Sequence, residues 1–175
     1  MDIQTLMNIA VGIVVVVWIG GRQLRWRPVT QRSTWTIPLL LTAGGIVLLA
    51  NEVKPAAFTA LGLGFLAIEL ALSVAIGSVM GVIAGFRRID ESTAASLARR
   101  GDPAPEWETR TGWVGMVLWI VLIGVRIGLD FLGERLGAGE LLIATGTILF
   151  VVGINRLTRS AVLSYRLSRR VLVAA

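Results

Sequence analysis

The chain has no cysteine and no histidine among its 175 residues. A disulfide framework, a thiol redox couple, a zinc site built from these residues and an imidazole ligand for haem are therefore excluded. Catalytic arrangements in which histidine activates a serine or cysteine nucleophile are excluded as well. A phosphate-binding glycine loop with a lysine is also missing. The sequence thus predicts a protein that is not an enzyme and that carries no cofactor and no metal.

Charged residues are scarce, at 16% of the chain against about 25% in soluble domains. Hydrophobic residues make up 55%, which is more apolar surface than a soluble protein of this length can bury. The composition therefore predicts a polytopic integral membrane protein that has the lipid bilayer as its partner. The net charge of +6 comes from arginines that flank apolar segments. Membrane topology explains this charge better than binding to nucleic acid does, so no nucleic-acid partner is expected.

Five apolar stretches predict an all-α helical bundle that forms a single transmembrane domain. The predicted spans cover about residues 5–20, 35–50, 56–86, 112–132 and 140–156. A soluble loop at 87–111 and a basic tail at 157–175 complete the chain. The third stretch is long enough for an alternative, in which Gly62 and Gly64 break it into a re-entrant pair.

The distribution of basic residues predicts the orientation of the bundle. Fourteen of the 17 lysines and arginines fall in the first loop, in the third loop, or in the tail together with Arg156 at the end of the fifth span. By the positive-inside rule this side is cytoplasmic, so the N-terminus is outside and the C-terminus is inside. Trp18, Trp35 and Trp113 fall at the cytoplasmic ends of spans, where indole rings favour the headgroup region. We expect a multi-pass protein of the bacterial cytoplasmic (inner) membrane.

The third span carries a row of small residues at four-residue spacing, namely Ser73, Gly77, Gly81 and Gly85. Such rows allow two helix backbones to approach closely in lipid, where tight packing replaces the hydrophobic effect. One interpretation of this helix-packing seam is contact within the bundle. The other is the face of a homodimer.

Glu69 stands alone in the same apolar stretch, and Arg126 stands in the fourth one. Counted from Phe86 and Gly112 at ~1.5 Å per residue, the two lie at similar depths of roughly 26 Å and 21 Å. Since an unpaired charge in lipid is costly, we expect them to form an ion pair. Asp130 lies one turn beyond Arg126 and competes for it. The alternative is therefore an Arg126–Asp130 pair with Glu69 protonated.

The tail alternates arginine with apolar residues, which predicts a basic amphipathic extension of the fifth helix at the membrane surface. Either its positive face is simply solvated, or it captures an anionic lipid specifically. The arginines expected to contact anionic headgroups are Arg22, Arg25, Arg27, Arg159, Arg166, Arg169 and Arg170.

The order of several short segments resembles that of the CcdC-like family of small bacterial membrane proteins. The segments are Gly21-Arg22 to Arg27-Pro28, Ile37-Pro38, Phe86-Arg87-Arg88, Arg126, Asn155-Arg156 and Tyr165-Arg166. The resemblance implies a multi-span fold and an association with cytochrome c biogenesis. Since this chain has neither histidine nor cysteine, direct haem ligation of the usual kinds and thiol relay cannot be transferred to it.

Two functions follow from these features. The first is an accessory, assembly or interaction role, exerted by helix packing with a second copy or with another membrane protein. The alternative is a small transporter or transporter subunit that uses Glu69 and Arg126 along a polar path. A membrane enzyme ranks last, because the sets of acid-base and nucleophilic residues are missing.

Overall fold

A computed structural model describes residues 21, 24–30, 32–90, 94 and 107–174. The predicted first span at 5–20 lies outside these residues, and so does Arg22. Most of the loop at 87–111 lies outside them as well.

The described chain is mostly helical. Its helices are α1 (Ile37–Glu52), α2 (Ala60–Ile83), α3 (Gly112–Arg135), α4 (Gly139–Ile143) and α5 (Thr145–Ala174). A π-helical turn at Arg32–Thr36 leads into α1, and a 3-10 turn at Pro55–Ala57 precedes α2. The four longer helices are long and apolar enough to cross a membrane.

Local chemistry sets where α2 begins and where α3 ends. The hydroxyl of Thr59 accepts a hydrogen bond of 3.1 Å from the backbone N–H of Gly62, which caps the first turn of α2. After α3 the chain reverses through Gly137, whose φ of +81° favours glycine. The N–H of Ala138 then donates to the carbonyl of Gly133 at 2.7 Å, so the end of α3 is closed by backbone hydrogen bonds.

Helix α5 lies at the centre of the bundle and packs against both α1 and α2. Glycines line these contacts. A Cβ atom added at Gly45, Gly146 or Gly153 would collide with the backbone or side chain of the facing helix. Small residues thus let α1 and α5 approach backbone to backbone, the packing that stabilises helix pairs in lipid.

A small antiparallel sheet lies at the end of the bundle where α2 ends and α3 begins. We call this end of the bundle the basic end. Its strands are β1 (Arg27–Pro28), β2 (Gly85–Arg88) and β3 (Trp107–Arg110), in the order β1-β3-β2. The all-α prediction did not include this sheet, because two- and four-residue strands lack a readable period.

Side chains reinforce the strand pairing at the basic end. Arg87 and Glu108 face each other across the β2–β3 ladder and form an ion pair of 2.7 Å. Arg87 and Arg110 both stack on the ring of Trp26, with distances to the ring centre of 4.6 Å and 4.8 Å.

The structure excludes one alternative for the third stretch and corrects two predicted boundaries. Helix α2 continues unbroken through Gly62 and Gly64, so the third stretch is not a re-entrant pair. Gly85 belongs to β2 and not to the helix, because α2 ends at Ile83. The fifth stretch is interrupted at Ala144, where the hydroxyl of Thr147 donates to the carbonyl of Leu141 at 2.6 Å. Beyond this break, the span and the tail form the single helix α5.

The contact between α2 and α5 yields a stability prediction. A Cβ atom at Gly77 would lie 2.5 Å from the backbone oxygen of Asn155, whereas one at Gly64 would meet nothing within 4 Å. We expect Gly77→Ala to lower the free energy of unfolding by about 1–3 kcal/mol, because the backbones must move apart. Reversible unfolding in mixed detergent micelles measures this.

Gly64→Ala is the matched control on the same helix, and it should leave the stability unchanged or slightly raised. Equal stabilities of the two variants would contradict the close approach of α2 and α5.

Candidate functional site

Three charged side chains meet between α2 and α3, and we call them the charge cluster: Glu69, Arg126 and Asp130. Arg126 Nη1 donates to Glu69 Oε2 at 2.8 Å. Arg126 Nε lies 3.6 Å from Asp130 Oδ2, one turn further along α3. The sequence left open which acid pairs with Arg126, and in the structure both contacts exist together.

Arg126 also binds a third element. Its Nη2 donates to the carbonyl oxygen of Leu142 at 2.8 Å. This carbonyl lies in the last turn of α4, where the chain breaks at Ala144 and helical carbonyls lack their usual partners. One guanidinium group therefore joins α2, α3 and α4.

The cluster is deeply buried at the Glu69 end and more open at the Asp130 end. Glu69 is only 3% exposed, while the side chain of Asp130 is 23% exposed. A charged group with so little access to solvent is stable only when it is paired and hydrogen-bonded. The position of Arg126 therefore determines whether Glu69 can be accommodated.

A cavity of about 50 Å³ adjoins the cluster, space on the order of a few water molecules. Its walls are mostly apolar. The residues that line it are Glu69, Leu72, Ser73, Trp119, Leu122, Ile123, Val125, Arg126, Leu129, Val151 and Val152. The cavity thus brings α2, α3 and α5 around one carboxylate.

Several polar atoms near the cavity are buried, and within the described residues they have no hydrogen-bond partner. They are Glu69 Oε1, Ser73 Oγ and Asp130 Oδ1. Such atoms are rare in folded proteins and call for a chemical explanation. The cluster can therefore accept further hydrogen bonds or a small cation. Asp and Glu side chains do not gather in groups of three for a metal ion within the described ranges.

The helix-packing seam faces α5. Asn155 Nδ2 donates to the carbonyl oxygen of Ser73 at 2.9 Å, and added Cβ atoms at Gly77 and Gly81 would meet α5. Gly85 lies outside the helix, in β2. In the structure, the row is occupied by a helix of its own chain.

The arginines that were expected to contact lipid divide into two groups. Arg166 Nη1 donates to the carbonyls of Gly81 and Ala84 at 2.8 Å and 2.9 Å, so it satisfies the C-terminal end of α2. Arg159 Nη2 donates to Thr111 Oγ1 at 2.6 Å, where α3 begins. These two therefore have a structural role within the bundle.

The remaining arginines of that set are exposed or lie outside the described residues. Arg25 and Arg27 are exposed, and Arg169 stacks on Tyr165 at 4.8 Å. The side chain of Arg170 and all of Arg22 lie outside the described residues.

A second set of small residues, Gly124 and Gly128 on α3, was not among the predicted site residues. Their four-residue spacing within an apolar span is the GxxxG signature of close helix packing, and it was readable from the sequence. An added Cβ atom at either position would meet no atom of the described residues within 4 Å. Among the described residues this glycine pair is open, whereas Gly77 and Gly81 are covered.

The charge cluster predicts unequal effects on stability for two arginines of α3, Arg126 and Arg135. Arg126→Gln removes the group that joins three helices and leaves two carboxylates without a cation. We expect a loss of about 3–5 kcal/mol in the free energy of unfolding, measured in detergent micelles or by steric trapping in bicelles.

Arg135→Gln is the control on the same helix, because Arg135 is exposed and stacks only on Phe131 among the described contacts. Its effect should stay within about 0.5 kcal/mol. If the two variants were equally stable, Arg126 would not hold the bundle together.

No protein-family model matches this chain, and searches of curated proteins and of solved structures likewise returned no match. The resemblance to the CcdC-like family therefore stays a prediction from the sequence.

Proposed function

We propose that this chain is a non-enzymatic integral membrane protein with an accessory or assembly role, which it exerts by helix packing. The observation that carries the proposal is the open glycine pair on α3. The seam that the sequence first suggested for this purpose is covered by α5, so Gly124 and Gly128 offer a second surface, which no described part of the chain covers.

The geometry of α3 favours an outward contact at this pair. Arg126 lies midway between Gly124 and Gly128, and residues two apart differ in direction by about 200° on a helix. Since Arg126 points into the bundle toward Glu69, the glycines point away from it. The bundle thus holds α3 by its charged side and leaves its small-residue side outward.

Large apolar side chains extend the outward face in both directions. Val117 and Val121 precede the glycine pair along the helix, and Phe131 follows it, each of them exposed. These positions follow the spacing of one helix face, so the glycines form a notch between larger side chains. Such a notch fits the ridge of another membrane helix, either from a second copy or from a partner protein.

Substitution of the glycine pair tests the assembly role. Gly124→Leu and Gly128→Leu should fill the notch, and we expect each to lower the self-association or partner recovery of the protein by roughly tenfold, equivalent to about 1.4 kcal/mol. Single-molecule photobleaching in lipid nanodiscs measures self-association, and co-purification in mild detergent measures partner recovery.

Gly64→Leu on α2 is the matched control, because Gly64 is also open but has no second glycine four residues away. It should associate like the unchanged chain. A chain that is monomeric and partner-free in both assays, or an interaction unaffected by both α3 variants, would sink the proposal.

The proposed location is the bacterial cytoplasmic membrane, with the N-terminus outside and the C-terminus inside. Its support is the concentration of arginine at the basic end of the bundle, where β2, β3 and the C-terminal half of α5 lie. Arginine-mediated contact with anionic headgroups at this end belongs to the same proposal.

The absence of cysteine makes the topology testable by single-cysteine labelling. Leu136 lies between α3 and α4, and Asp90 follows β2; both residues are exposed. The substitutions Leu136→Cys and Asp90→Cys leave every arginine in place. A membrane-impermeant maleimide should label Leu136→Cys in intact cells and Asp90→Cys only in inverted vesicles. The opposite pattern would reverse the orientation.

The alternative function is a small transporter or transporter subunit. The cavity beside Glu69 and the buried carboxylate favour it, because intramembrane acids often lie on ion or substrate paths. The walls of the cavity are mostly apolar, whereas a transport path would need polar groups, so the assembly role is favoured. A role linked to cytochrome c biogenesis, as the CcdC-like resemblance implies, would fit assembly by protein contacts rather than by direct haem ligation.

A further inference from the structure

The charge cluster holds two acidic groups and one basic group. Glu69 comes from α2, and both Arg126 and Asp130 come from α3. Helix α4 contributes the carbonyl of Leu142, and the described residues of α5 that line the adjoining cavity are Val151 and Val152. If both acids were ionised, the cluster would carry a formal charge of −1, with one of the two carboxylates, Glu69, almost completely buried.

The hydrogen-bond pattern singles out one oxygen on each acid. Glu69 Oε2 and Asp130 Oδ2 face Arg126, whereas Glu69 Oε1 and Asp130 Oδ1 are buried and have no donor among the described residues. The two carboxyl groups contact the same guanidinium group, at 2.8 Å and 3.6 Å, so they are close neighbours. Two ionised carboxylates can only accept hydrogen bonds, so they would repel each other in this position.

One proton resolves both problems. A protonated carboxyl group donates a hydrogen bond, so a proton shared by the two acids would supply a donor that Glu69 Oε1 and Asp130 Oδ1 lack among the described residues. It would also bring the cluster to neutrality, because the remaining negative charge is balanced by Arg126. In surroundings of low polarity, both effects are larger than they would be in water.

The cavity places a hydroxyl group and space for water beside Glu69. Ser73 lies one turn from Glu69 on the same face of α2, is fully buried and lines the cavity together with it. Its hydroxyl can both donate and accept, and the space can take on the order of a few water molecules. These groups are the elements that a proton relay in a membrane protein requires.

We therefore propose that Glu69 and Asp130 form an intramembrane carboxyl pair that binds one exchangeable proton, with Arg126 neutralising the remaining charge. The cluster then binds a proton and also holds α2 and α3 together. This inference does not rest on the proposed assembly role, because it concerns the inner side of α3 and not the glycine notch.

Infrared spectroscopy of the full chain in nanodiscs tests the proton directly. The unchanged protein at neutral pH should show the carbonyl stretch of one carboxylic acid group per chain. Glu69→Gln and Asp130→Asn should each abolish this band, because the amide then donates to the remaining acid, which ionises and pairs with Arg126. Glu134→Gln, an exposed acid on the same helix, should leave the band unchanged.

The separate variants distinguish sharing from simple burial. A band that survives in Asp130→Asn would assign the proton to Glu69 alone, and a band that survives in Glu69→Gln would assign it to Asp130 alone; either result overturns the proposal. Absence of the band in the unchanged protein does so too. If Glu69→Gln fails to fold, Asp130→Asn decides, since its side chain is partly exposed and the substitution keeps its shape.

A metal cation is the competing occupant, and the same spectra address it. The measurement is repeated with sodium chloride and with choline chloride at equal ionic strength. A proton site gives the same band in both salts. A band that decreases when sodium replaces choline would show that the two carboxylates hold a monovalent metal ion, and the proton assignment would then be wrong.

Discussion

The arrangement of the described helices depends on where the guanidinium group of Arg126 finds partners among apolar helices. Arg126 lies in an apolar helix, so its charge must be met by groups from neighbouring elements. It reaches an acid on α2, another on its own helix and a freed carbonyl at the end of α4. Helix α3 has little other attachment to the described bundle than its contacts with α2 and α4. The charge cluster therefore determines both the rotation and the depth of this helix.

Helix α5 provides the second constraint, through close contact and not through charge. Gly45, Gly146 and Gly153 allow it to lie against α1 without intervening side chains, and Gly77 and Gly81 do the same against α2. In lipid the gain comes from dispersion and from hydrogen bonds, because burial of apolar surface from water no longer contributes. The contacts of α5 with α1 and α2 thus leave α3 as the long helix with the most open surface among the described residues.

This division connects the two proposals. One side of α3 carries Arg126 and Asp130 toward the core, and the opposite side carries Gly124 and Gly128 outward. A change of protonation on the inner side would alter how firmly Arg126 holds α2, while a partner would contact the outer side. The same helix therefore links an internal charge to an external surface. The basic end, with Trp26 between two arginines, anchors the strands that connect α2 to α3.

The sequence by itself determined the mostly helical fold, the approximate positions of four apolar helices long enough to cross a membrane, and the candidate residues of the charge cluster. Long apolar runs and isolated charges are local signals whose cost in lipid does not depend on the fold. Tertiary structure decided the rest. It determined that Arg126 serves both Glu69 and Asp130, that α5 covers the seam and that Gly85 enters a strand. These outcomes depend on which faces meet across the bundle, and periodicity along one helix carries no information about its neighbour.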